Sequence, residues 1–86
     1  MEIDFLDKAL EDINFWKNSG NKTIQKRITK LLESISESPY SGIGKPELLK
    51  YELSGYWSRR ITDEHRIVYT VYENRVKVIS MRFHYV

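Results

Sequence analysis

The spacing of hydrophobic residues changes near the middle of the chain. From Leu6 to Ile35 they recur every three or four positions, whereas beyond Leu49 they fall at every second one. The first regime predicts helices and the second strands, because side chains return to one helix face after about 3.6 residues and alternate across a strand. Before the helices, Glu2 to Leu6 alternates polar and apolar briefly and reads as a short edge strand. Asp7 stands where an N-cap belongs, with Glu11 and Asp12 near the positive end of the following helix. Leu6, Leu10, Ile13 and Trp16 supply its buried stripe, and Ser19-Gly20-Asn21 ends it. A second helix from about Lys22 to Glu37 carries Ile24, Ile28, Leu31, Leu32 and Ile35 on one face. Ser38-Pro39 stops it, since a residue before proline avoids the helical region. The short link predicts an antiparallel helical hairpin.

Tyr40 to Pro46 is turn-rich, with two glycines and a proline. Leu49, Tyr51 and Leu53 then alternate, Ser54-Gly55 breaks the run, and Trp57 to Thr62 reads as a strand. Asp63-Glu64 turns the chain into a strand from His65 to Tyr72, and Glu73-Asn74 turns it again into Arg75 to Phe83. Three consecutive strands with tight connections make an antiparallel meander, one face of which the helices must cover. The expected fold class is therefore α+β: a two-helix hairpin on one face of a twisted antiparallel sheet, with a short N-terminal edge strand.

The chain has 86 residues, of which 41% are hydrophobic and 13% aromatic. That is enough for one domain, residues 1–86, and little more. There is no cysteine, so packing rather than disulfides or thiolate-bound metal must hold it. Glu2, Asp4 and Asp7 interrupt any apolar leader, and no run reaches membrane-spanning length, so a soluble cytoplasmic protein is expected. The formal net charge is +2, unevenly spread. Residues 1–43 hold six Lys/Arg against seven Asp/Glu, and residues 44–86 hold eight against five. A mildly basic sheet half suits a local anionic ligand better than bulk attraction to nucleic acid.

The second half also concentrates the candidate chemistry. Glu47 follows Pro46, which restrains the backbone and presents the carboxylate from a defined turn; it is a candidate general base or else a solvated surface acid. Arg59, Arg60 and Arg66 lie on adjacent strands, and a guanidinium fork suits a phosphodiester. Alternation sends Arg59 and Arg60 to opposite faces. Arg59 shares a face with Ile61, which belongs in the core, so Arg60 is assigned to the face of Arg66. The alternative is a solvated face with cross-strand ion pairs to Glu52 or Glu64. His84 can donate a proton near neutrality, and Tyr85 can stack on a base or bond a phosphate. His65 has the opposite parity to Arg66 and reads as structural.

Register links these residues. A strict two-residue hairpin at Glu73-Asn74 pairs Arg66 with Met81 and sends His84 to the wrong face. A three-residue turn, or one bulge, pairs Arg66 with Arg82 and returns His84 to the side of Arg66. The catalytic reading favours the longer turn. Other chemistries fail on their motifs: Gly44-Lys45 lacks Walker spacing, there is no Gly-x-Ser-x-Gly elbow, and two histidines without cysteine make no zinc site. Neither metal nor cofactor is expected.

At these residues the chain resembles the YoeB (Txe/YoeB) family of toxins within the RelE superfamily. The resemblance runs nearly end to end and is densest from Gly42 to Tyr85. There GKPE, LSGYWSRRIT, EHRIVY and the closing RFHY stand in family order. It implies a RelE-like, microbial ribonuclease-type fold and the toxin of a type II toxin–antitoxin pair, a ribosome-dependent mRNA endoribonuclease acting in the A site of the 70S ribosome. By the same resemblance Glu47 is the general base, His84 the general acid, Arg66 the transition-state cation and Tyr85 a substrate-orienting residue. Lys50 and Arg60 match basic positions that hold RNA. A YefM-like antitoxin and a homodimer are also implied. Val86 departs from the pattern by moving the terminal carboxylate one residue outward. The alternative is a non-catalytic toxin, or an RNA- or protein-binding module, of the same fold.

Overall fold

The computed structural model describes residues 1–83; His84, Tyr85 and Val86 lie outside the described residues. Strand β1 (Glu2–Phe5) leads into helices α1 (Asp7–Ser19) and α2 (Lys22–Glu37), followed by β2 (Glu47–Leu48), a 3-10 turn at Tyr51–Leu53, β3 (Trp57–Arg60), β4 (Arg66–Tyr72) and β5 (Arg75–Ser80). The sheet order is β1-β5-β4-β3-β2. The meander and its outer strand β2 are antiparallel, while β1 runs parallel to β5. The sheet is thus mixed rather than purely antiparallel, because the two helices carry the chain away from β1 before the meander returns beside it.

Helix α2 has the expected limits. Asn21 caps it, its Oδ1 accepting the Ile24 N–H at 3.1 Å, which satisfies one of the donors left open at a helix start. Helix α1 ends at Gly20, whose φ of +70° is easily reached without a Cβ. Its N-cap is Leu6, with Asp7 the first helical residue rather than the cap. Its inner face also differs from the apolar stripe expected. Ala9, Asp12 and Trp16 are buried, while Leu6 and Leu10 are exposed, Leu10 by 48%. Asp12 wins the inward position because its carboxylate has two donors there, Lys8 Nζ and the Met81 N–H.

The core lies between the helices and one sheet face. Ile28, Leu31 and Ile35 of α2 and Trp16 of α1 pack with Ile67 and Tyr69 of β4 and Val76 and Val78 of β5. Leu49 to Leu53 is not a strand. After two residues of β2 the chain leaves the sheet, Tyr51 adopts φ +57°, and the Leu53 N–H donates to the Lys50 carbonyl at 3.1 Å. Period-two spacing over three apolar residues is too short to distinguish a strand from such a turn.

The β4–β5 hairpin resolves the register. Tyr72 faces Arg75, and Glu73 and Asn74 have φ of +51° and +60°, so the turn is the two-residue one and the longer turn is not formed. A bulge supplies the shift instead. Tyr69 opposes Val78 but Val68 opposes Ser80, leaving Ile79 as the extra residue.

Candidate functional site

Register places a row of side chains across the sheet face opposite the helices. Glu47 pairs with Ser58, Ser58 with Val68 and Val68 with Ser80. Directly opposed residues share a face, and so do residues two apart on one strand. Arg66, two before Val68, and Arg60, two after Ser58, therefore lie on the face of Glu47. On this face is a hollow of about 800 Å³, with two acids, Glu47 and Glu52, and Lys50, Ser58, Arg66 and Val68 in its wall.

Glu47 reaches this position through a tightly held loop. Arg59 is fully buried on the helix side, as its alternation with Arg60 requires. Its Nε donates to Tyr69 Oη at 3.0 Å, Nη1 to Ser34 Oγ at 2.9 Å and the Ile43 carbonyl at 2.8 Å, and Nη2 to the carbonyls of Ser38 (2.7 Å) and Ser41 (2.8 Å). All five guanidinium N–H groups are used, with no carboxylate among their partners. The Tyr69 hydroxyl in turn donates to the Pro39 carbonyl at 2.6 Å. Gly42 and Gly44 have positive φ and sit so close to α2 that a Cβ would strike Ser34 or Leu31. Finally, the Arg60 N–H donates to the Gly44 carbonyl at 2.7 Å, pinning the loop to β3 just before Glu47.

The cations differ in their surroundings. Arg66 Nη1 donates to the carbonyls of Thr62 (2.6 Å), Asp63 (2.9 Å) and His65 (3.2 Å). These bonds fix its direction, and among the described residues no carboxylate lies in ion-pair range to cancel its charge. Arg60 lies 3.8 Å from the exposed Asp63, so the anticipated partners Glu52 and Glu64 are not the ones it meets. Lys50 and Glu47 are exposed. The structure thus brings Glu47, Lys50 and Arg66 around one hollow and sets Arg60 on the same face outside its wall. His84 and Tyr85 lie outside the described residues.

Residues that sequence reasoning assigned no part in the site surround the exit of β5. Trp16 Nε1 donates to the Met81 carbonyl at 2.8 Å, and Asp12 Oδ2 accepts the Met81 N–H at 2.8 Å. The Phe83 N–H donates to His65 Nδ1 at 2.8 Å, and the Phe83 carbonyl accepts the Arg66 N–H at 2.9 Å. His65 is indeed a framework residue: its ring stands edge-on to Trp16, with centroids 5.0 Å apart. The signal for Asp12 was an acid set among apolar residues at helical spacing; nothing in the sequence named its partner.

Comparison with known proteins shows the family. The family model of a YoeB-like toxin of bacterial type II toxin–antitoxin systems matches residues 5–85. The toxin RelK of Mycobacterium tuberculosis is 51% identical over 83 residues, 96% of each chain. A YoeB/ParE toxin from Agrobacterium tumefaciens superposes with a TM-score of 0.92 at 40% identity, covering 99% of this chain and 100% of the other. The YoeB–YefM complex from Staphylococcus aureus gives 0.87 at 46% identity, covering 99% and 98%. A family model matched over residues 5–85, with sequence and fold similar to these proteins over nearly the whole chain, leads to one conclusion: the chain belongs to the YoeB-like toxins of bacterial type II toxin–antitoxin systems.

Proposed function

We propose that the chain is a ribosome-dependent endoribonuclease that cuts mRNA in the A site and so stops translation. The observation that carries this reading is the shared hollow, whose wall includes Glu47, Lys50 and Arg66 together. A binding surface for RNA needs cations; of the two acids in the wall, Glu47 is the one on a sheet strand in register with Ser58 and Val68, and proton transfer gives it a task that phosphate binding does not. In the proposed reaction Glu47 takes the proton of a ribose 2′-hydroxyl, and the 2′-oxygen attacks the adjacent phosphorus. The bond to the 5′-oxygen breaks, and His84 gives that oxygen its proton. The products are a 2′,3′-cyclic phosphate and a 5′-hydroxyl. Arg66 stabilises the added charge on the phosphorane-like transition state, Tyr85 orients the substrate, and Lys50 and Arg60 hold flanking phosphates. Proton transfer and a fixed guanidinium supply the catalysis, with no metal required.

The ribosome provides what the hollow lacks on its own, a strand held in line for attack. The S. aureus relative is known both bound to YefM and as a dimer. By analogy a YefM-like antitoxin would cover the basic face and block the hollow, and the toxin would form a homodimer. Primer-extension mapping on a translated message tests the reading. Cuts should fall within the A-site codon, require ribosomes, and leave cyclic phosphate ends. Ribosome binding without cuts in a wild-type preparation would overturn it in favour of a non-catalytic toxin.

A further inference from the structure

Strand β5 ends at Ser80, so Met81 to Phe83 carry the chain onward without strand pairing of their own. Their backbone is held by three side chains and by one backbone bond, from the Arg66 N–H to the Phe83 carbonyl at 2.9 Å. Asp12 and Trp16 of α1 take the N–H and carbonyl of Met81, each at 2.8 Å. His65 Nδ1 takes the Phe83 N–H at 2.8 Å. Phe83 itself has φ +62°, a left-handed conformation that a bulky residue adopts only where its surroundings force it. The side-chain bond that enforces it at Phe83 comes from His65. The imidazole is largely covered, 15% exposed, with the edge of Trp16 against it. Because Nδ1 accepts a proton-bearing donor, the ring is neutral with its hydrogen on Nε2.

We propose that His65 is the positioning residue for the segment that follows β5: its Nδ1 lone pair fixes the N–H of Phe83, the residue that precedes His84 in the chain. This rests on the reading of His84 as proton donor, and it gives the adjacent His65-Arg66 pair two linked tasks. The Arg66 side chain faces the hollow while its N–H holds the Phe83 carbonyl, and His65 holds the Phe83 N–H. Both ends of the Phe83 peptide environment are thus tied to the residues that carry the transition-state cation. His65 does not touch the reacting atoms, which separates it from Glu47 and Arg66.

Three substitutions separate an acceptor from a packing group. His65→Asn keeps an acceptor oxygen near the position of Nδ1. His65→Leu keeps comparable bulk without an acceptor. His65→Gln keeps an amide but moves it one carbon outward. In ribosome-dependent cleavage by the full chain, kcat of the Leu and Gln variants should fall by about 100-fold, the scale of a misplacement of about 1 Å, with KM changed less than about threefold. The Asn variant should retain kcat within about fivefold of wild type, an acceptor being kept at the bonding position. Amide exchange at Phe83 should quicken at least about tenfold in the Leu and Gln variants and stay near wild type in Asn. Thermal melts establish that the compared variants are folded, and Gln serves if Leu is not. Equal activity of the Asn and Gln variants, or equal Phe83 exchange in both, would overturn the proposal. If the wild type cuts no RNA, the reading of His84 fails, while the exchange contrast still decides whether His65 holds Phe83.

Discussion

Arg59 and Arg60 are adjacent and identical in type, yet one is a buried framework residue and the other lies on the open face. Strand alternation separates them, and that much was legible in the sequence from Ile61 alone. What Arg59 does inside was not, because four of its five hydrogen bonds go to residues 34–43, which no periodicity connects to β3. Arg59→Met should cost about 3 kcal/mol or more in urea unfolding, since it removes a buried cation and leaves several acceptors unsatisfied. Arg59→Lys should recover little, because an ammonium has three donors and no fork. Its neighbour Tyr69 gives a pH signature. Burial raises the Tyr69 hydroxyl above its usual pKa, only partly offset by the hydrogen bond from Arg59. A pKa higher in the folded state means that the unfolded chain loses its proton first. The stability this contributes is complete below about pH 10, declines above it and is gone beyond the folded pKa. Tyr69→Phe should therefore flatten the alkaline limb of the stability profile; an unchanged limb in that variant would assign it to other groups.

At the scale of elements, the β4–β5 hairpin carries the clearest local cost. Glu73 and Asn74 both stand at positive φ, which suits Asn at the first position and Gly at the second. The double substitution E73N/N74G should raise stability by about 0.5–1 kcal/mol with cleavage unaltered, as read by thermal melting and by the cleavage assay. The helices show how far pattern carries. Helix α2 was legible to the residue, because Asn21 and Ser38-Pro39 bracket five apolar positions at one spacing. Helix α1 was misread by about a quarter turn, because a buried Asp12 breaks the rule that acids face water, and the Lys8 ammonium and the Met81 N–H just beyond β5 explain it. Leu49 to Leu53 was misread because a local 3-10 turn, with Tyr51 at positive φ, follows β2 after two residues, and three alternating apolar positions do not distinguish it from a strand. The bulge at Ile79 was anticipated only as an alternative: a one-residue slip has no local signature and shows itself through what it brings to one face.

Over the whole molecule the helical half supplies the framework and the sheet half the open, cation-bearing face. The division matches the charge imbalance between residues 1–43 and 44–86. The two ends of the chain are drawn to the same sheet, β1 beside β5, with Arg75 bonding both Glu2 and Asp4. The hydrogen bond from Arg75 holds the Asp4 carboxyl below its usual pKa, although solvent screening at this surface pair makes it a minor source of stability. No helix among the described residues is long and apolar enough to cross a membrane. The framework sets Glu47 in the wall of the hollow through the Arg59-anchored loop, and beyond β5 it holds Met81 through α1 and Phe83 through His65 and Arg66.

The central claim is that the carboxylate at position 47 removes the proton that starts RNA cleavage. Single-turnover cutting of a ribosome-bound message by Glu47→Gln, beside its affinity for the same ribosomes, measures this directly. The substitution preserves shape and removes the base, so the rate should fall by at least about 100-fold while binding holds within a few-fold. Cutting at the wild-type rate by a folded, ribosome-bound Glu47→Gln protein would contradict the account.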